Sequence, residues 1–221
     1  MKITPGISEI VGIYIGDGHI HRERNKFQIG FTGNPRTDIE LFEKLKKLIK
    51  EEFGKEVTFK VRGNGLRMVF RSKEISNILI NELGLTYGRG KSERVTIPDQ
   101  IINDQDLAKY AVRGIMDTDG TVFVSKKPRV EKYPTMEITT TSSILAGQLR
   151  EILLKKGFRV GNIRKSISKL GKLPAYRVPL YGKENIRKWL REIGFSNVYK
   201  KNRAESYIQY SPNNLNLSDK S

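Results

Sequence analysis

The stretch VGIYIGDG, residues Val11–Gly18, recurs later in the chain as RGIMDTDG, residues Arg113–Gly120. Both copies end in Asp-Gly, and their aspartates, Asp17 and Asp119, are 102 positions apart. Each copy also carries small residues four positions apart, which are Gly12 and Gly16 in the first and Gly114 and Thr118 in the second. Small residues at that spacing form a shallow helix face that another helix can approach closely. The repeat therefore predicts two helices that pack against each other through equivalent surfaces.

A second, longer repeat follows in the same order. Leu66–Leu85 aligns without a gap on Tyr176–Phe195, at an offset of 110. Two ordered repeats at nearly one offset indicate a duplicated unit of about 100 residues. Hydrophobic periodicity and turn residues predict the order α-β-β-α-β-β-α in each half. We therefore expect an α+β fold of two pseudo-symmetric halves, packed through the repeated helices and carrying antiparallel sheets.

The predicted boundaries follow the repeats. Residues 1–86 form the first half, 87–102 a linker, 103–210 the second half and 211–221 a polar tail. Thr37, with Glu40 three residues later, predicts a capping box at the start of a helix. Pro179 has no N–H to donate, so the strand that contains it is predicted at a sheet edge.

The composition points to a polyanionic partner. The 221 residues include 41 Lys and Arg against 24 Asp and Glu, a formal charge of +17. Such an excess is typical of nucleic-acid-binding proteins. The absence of cysteine excludes disulfides, thiolate catalysis and cysteine-based zinc sites. No apolar run is long enough for a membrane span, so we expect a soluble cytosolic protein without a membrane partner.

The repeated acids suggest metal chemistry. A carboxylate at a helix C-terminus opposes the helix dipole, and two packed helices would bring Asp17 and Asp119 together there. Two such acids repel each other unless a cation lies between them, and oxygen ligands without Cys or many His suit Mg²⁺. Carboxylates with a divalent metal beside DNA are suited to phosphodiester hydrolysis.

The two motifs resemble those of the LAGLIDADG homing endonucleases in their single-chain form. Residues 10–18 and 112–120 correspond to the nine motif positions, and the resemblance covers nearly the whole chain. It implies motif helices at a central interface and a saddle of antiparallel strands on the DNA major groove. It also implies Mg²⁺ or Mn²⁺ bound by Asp17 and Asp119, with the carbonyls of Gly16 and Thr118 as further ligands. The sixth motif position is Asp117 in one copy but Ile15 in the other, which weakens the symmetry and spares the metal-binding acid.

The resemblance further implies a lysine beyond the last helix of each half. The offset of 110 pairs Lys91 with Lys201, and Lys200 is an equal candidate if the loop contains a shift. Their role would be to polarise the attacking water or offset negative charge. Asn34 and Ser142 fall where relatives hold a water-positioning group. We prefer to interpret them as helix caps.

Strand alternation predicts which polar residues contact DNA. In the first half they are His19, His21, Arg22, Arg24, Gln28, Lys60, Arg62, Arg67 and Arg71. In the second half they are Ser125, Lys126, Arg129, Glu137, Thr139, Arg164, Ser166, Ser168 and Arg177. Arginine on guanine and glutamine on adenine read sequence directly, whereas surplus lysine supplies phosphate affinity.

The sequence therefore predicts a monomeric, divalent-metal-dependent endonuclease that cuts double-stranded DNA at a long pseudo-palindromic site. Met1 and the lack of splicing-type ends favour a free-standing, intron-encoded enzyme, cytoplasmic and associated with the nucleoid. One alternative is a maturase-like RNA-binding splicing factor on the same fold. The other is a non-catalytic DNA-binding regulator, which would usually carry an added helix-turn-helix module.

Overall fold

The two halves repeat one order of elements. The computed structural model describes residues 2–24, 26–127, 130–167 and 173–209. The first half contains α1 (Pro5–Asp17), β1 (Gly18–Glu23), β2 (Lys26–Gly33), α2 (Ile39–Phe53), β3 (Phe59–Arg62), β4 (Gly65–Arg71), α3 (Lys73–Asn77) and a π-helical turn (Ile78–Glu82). Two short linker helices follow, α4 (Lys91–Arg94) and α5 (Asp99–Ile102). The second half contains α6 (Gln105–Asp119), β5 (Gly120–Lys127), β6 (Val130–Thr140), α7 (Ser143–Lys155), β7 (Arg164–Ile167), β8 (Pro174–Tyr181), α8 (Lys183–Glu192) and α9 (Val198–Gln209).

Each half forms a four-stranded antiparallel sheet. The strand orders are β1-β2-β4-β3 and β5-β6-β8-β7, so the two sheets have the same topology. This architecture confirms the predicted α+β class with two equivalent halves. The predicted tail lies outside the described residues, and none of the described helices has the length and apolarity to cross a membrane.

The repeated helices α1 and α6 pack together at the centre. Thr4 caps the N-terminus of α1 and Pro5 fills its first turn, while Asp104 caps α6. A Cβ atom on Gly12 would lie 2.9 Å from the carbonyl carbon of Ala111. A Cβ atom on Gly114 would lie 2.6 Å from the carbonyl oxygen of Glu9. The two backbones therefore touch, as the small residues predict.

The same interface buries an ion pair that has no equivalent at the repeat-related positions. The side chain of Glu9 is only 2% exposed and forms an ion pair with Arg113, from the other half. Ser196 also donates its hydroxyl to Glu9, and the Ser8 hydroxyl donates to the Leu107 carbonyl at 2.6 Å. These contacts join the two halves through largely buried polar groups. Loss of one partner would leave a buried charge unpaired, so the pairing matters for stability.

Two local predictions are wrong. Strand β8 lies inside its sheet because β6 and β7 flank it. The Pro179 carbonyl accepts a hydrogen bond from Gly161 on the side away from β6, at 2.9 Å. In a strand the N and C=O of one residue point the same way, so the missing N–H costs no bond to β6. Helix α2 begins after Asp38 rather than Thr37, and no side chain caps it.

The sheets have two unlike faces. Apolar residues such as Ile20, Ile29 and Met68 point to the helices and are buried. The opposite face of each sheet, called the open face below, carries the alternate residues. In the first sheet the register puts His19 beside Gly30, Gln28 beside Arg71, and Lys60 beside Arg67 there.

Candidate active site at the motif helix ends

The structure brings Asp17 and Asp119 together at one end of the helix interface. They are the last residues of α1 and α6. Carboxylate oxygen Oδ2 of Asp119 lies 3.3 Å from where a Cβ atom on Gly16, the neighbour of Asp17, would stand. The charge of Asp119 also acts on the pKa of Asp17. The two acids thus come from separate halves into one small volume.

Both carboxyl groups are held in an unfavourable environment. The pKa of Asp17 is raised from its usual value to about 7, chiefly by burial and then by the negative charges of Asp119 and Asp38. Burial likewise raises the pKa of Asp119 to about 6, against the opposing charges of Lys91 and Lys200. A cation between the two carboxylates would remove their repulsion and favour their ionised forms.

The donor set suits a hard cation. No cluster of three or more His, Cys, Asp or Glu that could hold a metal occurs in the described ranges. The candidate ligands are therefore two carboxylates and neighbouring backbone carbonyls. Mg²⁺ is commonly held by one or two carboxylates, with water and substrate phosphate completing the shell. The two aspartates fit that pattern.

Lys91 closes the end of α1. Its ammonium donates to the carbonyls of Tyr14 at 2.6 Å, Ile15 at 2.9 Å and Gly18 at 2.6 Å. It also lies 4.6 Å from the centre of the Tyr14 ring. Burial lowers the pKa of Lys91 to about 8, although Asp119 and Asp17 oppose that shift. The predicted lysine of the first half thus lies at the acid pair.

Lys200, and not Lys201, is its counterpart in the second half. The Lys200 ammonium donates to the carbonyls of Met116 at 3.0 Å and Thr118 at 2.8 Å, at the end of α6. Lys201 is half exposed and lies 3.9 Å from Glu205 on the next turn of α9. The pairing with Lys201 is wrong because the loop after Gly194 is one residue shorter than the loop after Gly84.

The predicted carbonyl ligands differ between the halves. The Thr118 carbonyl already accepts from Lys200. Lys91 instead uses carbonyls on either side of Gly16. A cation at the Thr118 oxygen would therefore share that oxygen with an ammonium.

The two predicted water-positioning residues both bond to nearby backbone N–H groups. Ser142 is fully buried, accepts from the Leu145 N–H and donates its hydroxyl to the Val95 carbonyl at 2.8 Å. The Asn34 side chain accepts from the Arg36 N–H at 2.9 Å, which closes a turn. Ser142 is thus the N-cap of α7, as we prefer to interpret it. Asn34 closes a turn before α2 and caps no helix, so the cap interpretation is wrong for that residue.

Asp38 is a third acid at the site, which the sequence analysis missed. Its charge raises the pKa of Asp17 and opposes the lowering of the Lys200 pKa. Its carboxylate accepts from the Asn34 N–H at 2.7 Å and from the Asn197 amide at 3.0 Å. Asn197, fully buried, also caps the helix that carries Lys200. Asp38 and Asn197 are 159 positions apart, and no local pattern links them.

Most of the predicted first-half contact residues lie on the open face. They are His19, His21, Gln28, Lys60, Arg62, Arg67 and Arg71. The prediction for Arg22 is wrong, because this residue pairs with Phe27 on the helix-covered face. Its guanidinium lies 5.4 Å from the centre of the Phe27 ring. Arg24 lies in the hairpin turn, with a φ of 52°. Consecutive residues on a strand cannot both face DNA, and Arg22 has the parity of Ile20.

The second sheet carries fewer free cations on its open face. Ser125, Thr139, Arg164, Ser166 and Arg177 lie there, and Lys126 is exposed at a bulge. Thr139 lines a cleft with Gly16 and Asp119. Glu137 is also on this face, but its side chain is 8% exposed and paired with two arginines. It is therefore not a free base reader. Arg129 and Ser168 lie outside the described residues.

The buried acids make a prediction about pH. In EDTA, Asp17→Asn should become more stable relative to wild type as the pH rises from 3.8 towards about 7. The folded state raises the Asp17 pKa, so it favours the neutral carboxyl, and the stability of wild type is lost as the group ionises. Melting temperatures of both proteins across this range test the expectation. A constant difference across the range would contradict it.

Comparison with known proteins finds a family match in the second half of the chain. Residues 106–194 match the LAGLIDADG-like domain family. A replication factor C small subunit from Methanocaldococcus jannaschii is 30% identical over 213 residues. That match covers 96% of this chain and 10% of the relative, so the chain spans about a tenth of the curated protein's length.

Solved structures share the fold. I-DmoI in complex with DNA and Mn gives a TM-score of 0.59 at 14% identity, covering 86% of this chain and 97% of that one. The LAGLIDADG meganuclease I-AabMI, bound to uncleaved DNA, gives a TM-score of 0.57 at 11% identity, covering 93% and 89%. Other I-DmoI structures were determined with Mg or with Ca. Residues 106–194 thus match a LAGLIDADG-like domain, and the chain shares its fold with solved LAGLIDADG structures, which confirms the resemblance.

Proposed function

We propose that the protein is a site-specific endonuclease that hydrolyses both strands of DNA in an intron-homing role, acting as a monomer. The observation that carries this proposal is the meeting of Asp17 and Asp119, from separate halves, beside two buried lysines. The charges of Lys91 and Lys200 oppose the raised pKa of both acids. Perturbed pKa values of this kind cluster at functional sites. The basic open face of the first sheet and the overall charge of +17 support DNA as the substrate.

A divalent cation fits between these acids. Asp17 and Asp119, with the Gly16 carbonyl, would hold Mg²⁺ or Mn²⁺, which supplies water activation and charge neutralisation at the phosphate. The DNA-bound relatives solved with Mn and Mg support that choice of ion.

The chain's own residues would complete the chemistry. Lys91 and Lys200 each place a positive charge beside one acid, where negative charge grows on the phosphate during attack. Water attacks phosphorus in line and the sugar oxygen leaves, so no bond to the protein forms. One lysine in each half gives each DNA strand its own set of groups.

The lysine assignment gives a matched pair of variants. Lys200→Met should slow cleavage of one strand by about a hundredfold, because a preorganised charge at the site is lost. Lys201→Met should change the rate less than about twofold, since that side chain is exposed. Duplexes labelled separately on each strand measure both rates. Equal losses in the two variants would refute the assignment of Lys200.

The function itself is tested by incubating the protein with Mg²⁺ and DNA that spans candidate insertion sites. Staggered double-strand cleavage at one site supports the proposal. Splicing of a precursor RNA without DNA cleavage would favour the maturase alternative, and sequence-specific binding without either reaction would favour a regulator.

A further inference from the structure

The two open faces carry one equivalent cross-strand pair of cations. In the first sheet Lys60 pairs with Arg67, which in turn pairs with Thr32. In the second sheet Arg164 pairs with Arg177, which pairs with Thr139. The repeat registers superpose these positions, so both cation pairs occupy the same place in their sheets.

The residue that neighbours each cation pair on the open face differs between the two sheets. Two positions before the threonine, the first sheet has Gly30 and the second has Glu137. A Cβ atom on Gly30 would clash with the ring of His19, which covers that glycine. Among the described residues, neither Lys60 nor Arg67 forms an ion pair. The first cation pair is exposed, and its charge is not balanced by an ion pair in the described part of the chain.

Glu137 holds the second pair in place. Oxygen Oε2 pairs with Nη2 of Arg164, and Oε1 lies 3.8 Å from Nη1 of Arg177. The carboxylate is 8% exposed, whereas the two arginine side chains are 52% and 45% exposed. The acid is thus covered by its partners, while the outer parts of both guanidinium groups still reach solvent.

We propose that Glu137 is a specificity-determining residue that orients Arg164 and Arg177 to read guanine in the half-site under the second sheet. Guanidinium is a planar fork with five donors, so one edge can bind the carboxylate and another the O6 and N7 of guanine. The buried acid also lowers the local attraction for phosphate, which penalises binding to unmatched sequences. This inference rests on the proposed function of DNA binding.

A selection from randomised DNA duplexes tests the proposal. Performed in EDTA with wild type and Glu137→Gln, it should return guanine at defined positions of one half-site for wild type. Glu137→Gln should lower that preference about tenfold. It should also bind a random duplex more tightly and with a steeper salt dependence, because a negative charge is removed.

Two further variants separate the causes. Glu151→Gln removes the same charge from an exposed helical position, 64% exposed, and should leave the preference unchanged. Arg164→Lys keeps the charge but loses the fork, so it should lose guanine preference while its affinity for random duplex stays similar. This variant also serves if Glu137→Gln does not fold, which its melting curve would show.

The outcomes are distinct. An unchanged guanine preference in folded Glu137→Gln would overturn the role of Glu137. A wild-type half-site without guanine would overturn the reading by the arginines. No enriched sequence at all with wild type would contradict the proposed function instead.

Discussion

Replacing Asp17 or Asp119 by asparagine is expected to reduce DNA cleavage by at least about a thousandfold and to leave DNA affinity nearly unchanged. Asparagine keeps the shape of the side chain but removes the charge that would hold a divalent cation. Loss of metal-borne stabilisation costs several kcal/mol at the transition state. Cleavage in Mg²⁺ and binding in EDTA, measured on the same duplex, separate the two effects.

Asp106→Asn is the matched control for this experiment. Asp106 is in the first turn of α6, far along the same helix from Asp119, and its side chain is 90% exposed. Its substitution makes the same charge change and should leave cleavage intact. Cleavage that survives in both Asp17→Asn and Asp119→Asn would remove the proposed metal site, whatever the fold.

Gly114→Ala is expected to lower the free energy of unfolding by about 3 kcal/mol, the upper end of the usual cost of overpacking a core. The new methyl group would lie 2.6 Å from the Glu9 carbonyl oxygen and 2.7 Å from the Ile13 nitrogen. Both are backbone atoms of a buried helix, so the clash cannot be relieved by a rotamer change. Helices α1 and α6 must separate instead, and chemical denaturation followed by circular dichroism measures the cost.

Gly147→Ala is the matched control, and we expect it to raise the stability that Gly114→Ala lowers. Gly147 lies within α7, and a Cβ atom there would meet nothing within 4 Å. Alanine at such a helical position should raise stability by about 0.5–1 kcal/mol. If both substitutions change stability equally, the close helix contact is not what holds the halves together.

The repeats predicted most of the architecture because they carry information about distant pairing. Two copies of one motif predict two equivalent helices that pack together. Because Asp17 and Asp119 end these helices, their proximity could be predicted from the sequence. Lys91 followed from the family resemblance together with the offset of 110 between the repeats. Close packing of the helices was also predictable, because the small residues that include Gly12 and Gly114 recur at a fixed spacing within each helix.

The remaining site residues depend on contacts that no local pattern records. A single missing residue after Gly194 moved the second lysine from Lys201 to Lys200. Asp38 reaches Asn197 across the interface, and Glu137 meets Arg164 only after the sheet forms. Arg22 was assigned to the wrong face because strand alternation separates two sets of residues but does not say which set faces the helices.

The ion pair between Glu9 and Arg113 makes the two sides of the helix interface chemically different. By the motif offset, the counterpart of Glu9 is Ala111 and that of Arg113 is Val11. Two copies of the first half alone would therefore bury two carboxylates with no guanidinium to meet them, at a cost of several kcal/mol. A symmetric dimer of the first half would therefore lack the charge compensation that the joined chain provides, so the two halves are no longer interchangeable at this interface.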